Sequence, residues 1–191
     1  MSFVYRYLFP ALWLAWAAYW GFSSRHVKPT ARSESWVSRA SYIALFALAA
    51  AAFAIRGLAP AVLRERFLPL SAWPFACGAV LTAGGLLFTV WARRHLGANW
   101  SGIVTIKQDH ELVTSGPYGL VRHPIYTGLL LAILGSAIAL GEWRALAALA
   151  FASLALWRKL RLEERWMLRQ FGERYEAYRR KVPALIPFLP S

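Results

Sequence analysis

Apolar residues fall in five runs, at about 7–22, 40–55, 70–92, 125–140 and 143–157, and the stretches between them hold almost all of the charge. Such runs predict membrane-embedded helices, because a helix satisfies its own backbone hydrogen bonds where no water can. Several are shorter than the roughly 20 residues of a full span. Flanking Arg and Trp side chains that reach back to the interface make these short cores tolerable. Only Arg6 precedes the first run and no small-residue cleavage site follows it, so it reads as a helix and not as a leader. Gly141-Glu142 alone separate the last two runs, which predicts a tight helical hairpin. Over 158–181 the pattern becomes that of a charged amphipathic helix. Leu160, Glu164, Met167, Leu168, Phe171 and Tyr175 share one face, and Pro183 and Pro187 end it. The segment 97–116 reads as an ordered loop with a short strand or interfacial turn. The fold class that follows is an all-α integral membrane protein of about five spans in one domain, 1–191. Residues 1–92 form a three-helix packing scaffold, and 93–191 carry the chemistry.

Composition supports this. The chain has 191 residues, 58% of them hydrophobic, with ten Trp and a net charge of +13. The basic residues sit between apolar runs, where membrane topology places them, which argues against a nucleic-acid partner. The segments 23–39 and 93–124 and the tail from 158 hold 17 of the 22 Lys and Arg; Arg6, Arg56, Arg64, Arg66 and Arg144 lie on the other side. The positive-inside rule then places the N-terminus outside and the tail in the cytosol, in a multi-pass protein of the cell membrane. The lone Cys77 lies in an apolar run and reads as a structural thiol.

Chemistry concentrates after residue 93. Arg122-His123-Pro124 opens the fourth run, and proline favours the first position of a helix. A helix N-terminus with Arg122 and His123 beside it suits a carboxylate. Gly128 lies one turn further in, where a missing side chain leaves room for a ligand. The plain alternative is that Arg122 and His123 anchor the helix at the headgroups. Glu163 and Glu164 point about 100° apart. One pairs with Lys159 at i−4, and the other can bind ribose hydroxyls or favour a sulfonium. Ordinary salt-bridging is the alternative. Tyr118, Tyr126, Tyr175 and Tyr178 can wall an adenine pocket or serve as interfacial belt residues. No dinucleotide-binding glycine motif, no Gly-x-Ser-x-Gly and no metal spacing among His95, His110 and His123 is present.

Gly97-Ala98-Asn99-Trp100, His110 to Gly116, Tyr118, Arg122 to Gly128, Glu163-Glu164, Phe171 to Tyr175 and Val182-Pro183 together resemble the isoprenylcysteine carboxyl methyltransferase family of membrane enzymes, over about 93–189. Phospholipid N-methyltransferases share the His-Pro and paired-Glu pattern more loosely. The resemblance implies a non-Rossmann methyltransferase that takes S-adenosyl-L-methionine from the cytosol and a lipophilic acceptor, a lipid or other small molecule, from the bilayer. It implies cofactor binding by Tyr118, His123, Pro124, Tyr126, Gly128, Glu163, Glu164, Tyr175 and Tyr178, and no metal. Arg122, Lys159 and Glu163 are the implied catalytic set, with Asn99, Trp100 and Lys159 on the substrate head. Lys159 stands where the eukaryotic enzymes usually carry Arg, and a lysine is a point charge without Arg's forked contact. A phospholipid N-methyltransferase or small-thiol S-methyltransferase of the same architecture, and a non-enzymatic membrane scaffold, are the other readings.

Overall fold

In the computed structural model, residues 2–25, 27–55, 57, 59–107 and 111–189 are described; Arg56 and His110 lie outside them. The helices are α1 (Ser2–Ser23), α2 (Trp36–Ala54), α3 (Ala72–Leu96), α4 (Pro117–Leu120), α5 (Pro124–Leu140), α6 (Trp143–Phe171) and α7 (Glu173–Lys181). Each apolar run of the sequence lies in one of the long helices. By length and composition α2 and α3 are long and apolar enough to cross a membrane, and α5 is apolar but shorter.

The packing is inside out relative to a soluble bundle. Small residues face inward: Ala132, Ala145, Ala148 and Ala155 are fully buried. Large apolar side chains face outward, with Val80 71% and Leu87 69% exposed. This is the pattern expected where lipid surrounds the helices and close backbone approach holds them together. The α3–α5 crossing shows the cause. A Cβ on Gly78 would stand 2.4 Å from the Gly135 carbonyl oxygen, and one on Gly85 2.5 Å from that of Gly128. Only glycine permits this approach. Thr82 donates across it to the Ala132 carbonyl at 3.1 Å. α2 packs on α6 through Ala49, Ala148 and Ala152.

The predicted hairpin is present: Gly141 adopts a left-handed conformation (φ 64°) and Glu142 precedes α6. At this end Arg144 is buried. It donates to Glu142 at 2.6 Å and to the Ala52 and Phe53 carbonyls at 2.9 and 2.5 Å, which caps α2.

Two expectations change. The charged helix expected over 158–181 does not stand alone. The fifth run and its charged continuation form the single helix α6, and the chain then breaks at Gly172 (φ 53°) before α7. The space there is open, and glycine is favoured because the backbone conformation is one that L-residues seldom adopt. In addition, the scaffold region contributes a strand. β1 (Thr30–Ser33) pairs antiparallel with β2 (Thr105–Lys107), in the register Ser33↔Thr105. Buried Glu34 secures this ribbon, accepting from the Val104 N–H at 3.2 Å and from the Tyr42 hydroxyl.

Candidate active site

The site forms where α4 turns into α5 and meets the charged half of α6. Val121 is extended, and His123 caps α5 with Pro124 at its first turn, as the His-Pro pair predicts. The Arg122 and His123 N–H groups donate to the Pro183 and Ala184 carbonyls at 2.8 and 3.0 Å. The Arg122 guanidinium is 3% exposed in its side chain. Its Nε and Nη2 donate to Glu164 Oε1 at 2.8 and 2.6 Å, and its Nη1 to the Arg179 and Val182 carbonyls at 3.0 and 2.5 Å. Arg122 thus clamps α6 to the end of α7. Its forked geometry suits this work, which a lysine could not do.

His123 lies between the two carboxylates. Its Nδ1 is 3.6 Å from Glu163 Oε2 and its Nε2 3.4 Å from Glu164 Oε1. Its ring stacks on Tyr126 at 5.4 Å. Tyr126 donates its hydroxyl to Glu163 Oε1 at 2.5 Å, and Lys159 Nζ is 3.9 Å from the same oxygen. Burial opposes charge on His123, Glu163 and Glu164. For Glu163, burial raises the pKa, but the hydrogen bond from His123 and the Lys159 charge outweigh it and hold it below the ordinary range. For Glu164, burial is likewise outweighed by His123 and Arg122, and the pKa falls to about 2. For His123, burial lowers the pKa and the two carboxylates raise it above its usual value. The corner therefore favours the charged forms of the two carboxylates and of the imidazole, each stabilised by the others.

Several side chains sit differently from expectation. Of the N–H groups that a helix start leaves over, that of His123 donates to the Ala184 carbonyl and that of Tyr126 to the His123 carbonyl, both at 3.0 Å, and Pro124 has no N–H. Gly128 faces α3 and is not among the residues that line the cavity beside this corner. A Cβ there would stand 2.6 Å from the Gly85 carbonyl oxygen and 2.7 Å from Thr89 Cγ2, so the missing side chain admits α3. Lys159 is buried, donates to the Gly102 carbonyl at 2.9 Å, and lies over the Tyr42 and Tyr126 rings.

A cavity of about 300 Å³ opens beside this corner. Glu163, His123, Lys159 and Arg122 supply ionic groups to its lining, and Tyr118, Tyr126, Tyr175 and Tyr178 supply aromatic ones. Tyr178 donates to the Tyr118 carbonyl at 2.6 Å, which fixes α7 over α4. Asn99 and Trp100 line it from the turn after α3, and Thr105 from the start of β2. Asn99 Oδ1 and Thr105 Oγ1 are buried there with no hydrogen-bond partner among the described residues. Much of the remaining wall is apolar, with Trp16, Trp20, Phe46, Leu129 and Leu156, and Ser101 and Glu111 add polar groups to it. Glu164 stands behind His123 and is not part of the wall. The sequence reading did not include Trp16, Trp20 and Phe46. The signal that could have found the first two is their i,i+4 spacing, which stacks their rings at 4.7 Å and carries Trp20 onto Trp100 at 5.6 Å.

Residues 73–174 match the family model described as phospholipid methyltransferase. The chain belongs to that family. Among its relatives, the protein-S-isoprenylcysteine O-methyltransferase of Schizosaccharomyces pombe is 42% identical over 100 residues, covering 49% of this chain and 41% of that protein. The cobalt-zinc-cadmium resistance protein CzcN of Cupriavidus metallidurans is 35% identical over 96 residues, covering 49% of this chain and 44% of that one. The chain thus spans less than half the length of these relatives. The solved structure of a eukaryotic intramembrane Ras methyltransferase, isoprenylcysteine carboxyl methyltransferase, superposes with a TM-score of 0.58 at 24% identity, covering 81% of this chain and 52% of that one. That similarity concerns the fold. The resemblance read from the sequence agrees with all three comparisons.

Proposed function

We propose that this chain is an S-adenosylmethionine-dependent methyltransferase of the membrane, and that its acceptor is lipophilic. The observation that carries this reading is the cavity itself, which is lined by a fixed carboxylate and four tyrosines together with large apolar side chains. Its volume lies at the lower end of small-molecule sites, about 300–1,000 Å³. The donor set suits the cofactor. Ionised Glu163 and the tyrosine faces offer negative potential to a cation, and the unpartnered Asn99 Oδ1 and Thr105 Oγ1 invite hydroxyl or amino donors. When bound, S-adenosylmethionine supplies a methyl group activated by its sulfonium.

Glu163 is held in place by the Tyr126 hydroxyl, His123 and Lys159, so it presents charge without rearrangement. Tyr118, Tyr175 and Tyr178 exclude water from the cofactor side. Trp16, Trp20, Phe46, Leu129 and Leu156 take the apolar part of the acceptor, and Lys159, Asn99 and Trp100 orient its head. Arg122, at the edge of the cavity, and Glu164, behind His123, act as positioning residues. A carboxylate acceptor needs no general base, and alignment is the main demand. Within this reading the N-terminus lies outside and the site faces the cytosol, as the 17-to-5 division of basic residues favours.

The description of the matching family favours a second acceptor, a phospholipid amine. Both are tested by transfer of labelled methyl from S-adenosylmethionine, using purified protein with a farnesylcysteine analogue or phosphatidylethanolamine. A base-labile labelled product from the analogue supports the carboxyl reading. A stable labelled lipid amine selects the second. No transfer to either, or to membrane extract of a deletion host, overturns the methyltransferase reading.

A further inference from the structure

Past α7 the chain turns back along α5. The Pro183 and Ala184 carbonyls are held by the backbone of Arg122 and His123, and the Leu185 carbonyl by Thr127 Oγ1 at 2.6 Å, one turn into α5. Ala184 and Leu185 pack beside Tyr126, Leu156 and Leu160. Three consecutive carbonyls are thus fixed to the first turn of an apolar helix and to the corner of the site. The residues that follow do not turn inward. Ile186 is 59%, Phe188 97% and Leu189 54% exposed. Phe188 has a φ of 67°, a conformation uncommon for a bulky residue. Immediately upstream, the last turn of α7 carries Arg179, Arg180 and Lys181, all exposed.

Exposed aliphatic and aromatic groups at the end of an apolar helix, with three cations beside them, match the two layers of a membrane boundary. The rings and aliphatic chains suit the outer acyl region, and the cations suit lipid phosphates. A net charge of +13 favours anionic lipid over neutral. A protein partner would need its own acidic surface beside an apolar one, whereas the bilayer that α5 already enters supplies both. We propose that residues 179–189 are an interfacial anchor for anionic lipid, and that lipid holding this segment also steadies the backbone of Arg122 and His123. The proposal rests on the membrane reading of α5 and is independent of methyl transfer.

The test uses the full chain in nanodiscs, with exposed Cys77 replaced by Ser and the environment-sensitive dye NBD attached to Phe188→Cys. The discs are either phosphatidylcholine alone or phosphatidylcholine with phosphatidylglycerol. The expected result is blue-shifted emission and quenching by doxyl lipids, stronger in the anionic discs. Arg180→Gln with Lys181→Gln should lower the buried fraction relative to the exposed one by about fivefold per charge removed. Amide exchange at Arg122 and His123 should become faster in Phe188→Ser. A water-like spectrum insensitive to doxyl lipids overturns the anchor, as does equal shielding in neutral and anionic discs. Shielding that rises with the number of copies per disc would assign the surface to a second copy and also overturn it. Unchanged amide exchange in Phe188→Ser would overturn the link to the corner.

Discussion

Glu164→Gln isolates the charge that the corner is built around. The amide keeps the volume of the carboxyl but removes the charge shared by Arg122 and His123. The side chains of Arg122 and Glu164 are 3% and 11% exposed, so water compensates little. In the native protein the Glu164 pKa stands at about 2 against an ordinary 4.5, because His123 and Arg122 outweigh the effect of burial. A displacement of that size corresponds to roughly 3 kcal/mol of stability at neutral pH, and screening reduces it to about 2 kcal/mol. Losing one partner of a buried pair costs about 3–5 kcal/mol in the general case. Here Arg122 keeps two backbone carbonyls and the new amide oxygen still accepts one N–H, so the smaller figure applies, and about 2–3 kcal/mol is expected. The assay is reversible chemical unfolding in detergent across a pH series. Because the folded pKa is depressed, the contribution is complete above pH 4.5 and fades as pH falls toward 2. The difference between wild type and variant should therefore be constant near neutrality and close at the acid end. A neutral-pH difference under about 0.5 kcal/mol, or one that persists when Glu164 is protonated, would refute the clamp.

Gly128→Ala should destabilise the protein by about 1–3 kcal/mol, since its Cβ would meet the Gly85 carbonyl oxygen and Thr89; an unchanged unfolding midpoint would show that α3 and α5 can separate freely. Tyr126→Phe should weaken S-adenosylmethionine binding by about 1.5–3 kcal/mol by releasing Glu163, as read by titration calorimetry. The His123 pKa is raised, so the stability from its carboxylate contacts is complete below about pH 6.5 and is lost as pH rises through the higher folded value. His123→Gln should lack this alkaline loss in an unfolding series.

The sequence shows the long-helix framework because each apolar run leaves a signal within one helix. Pro124 marks the start of α5 through a local preference, and Lys159 meets Glu163 through a fixed helical spacing. What the sequence conceals depends on distant partners. Arg122 reads equally well as a ligand donor or an anchor until Arg179 and Val182 are seen beside it. Gly128 looks like room for a ligand until α3 fills it. β1 was not apparent because Thr30–Ser33 is exposed throughout and has no apolar alternation to announce a strand. The break at Gly172 lies within an amphipathic pattern that continues across it, so periodicity alone joined what the backbone separates.

The central claim is that the cavity beside Glu163 takes S-adenosylmethionine. Titration calorimetry of purified protein in detergent tests it most directly, with wild type compared to folded Glu163→Ala. The account predicts saturable binding of S-adenosylmethionine to wild type and a loss of about 1–3 kcal/mol in the variant. No binding to wild type, or equal affinity in both proteins, would contradict it.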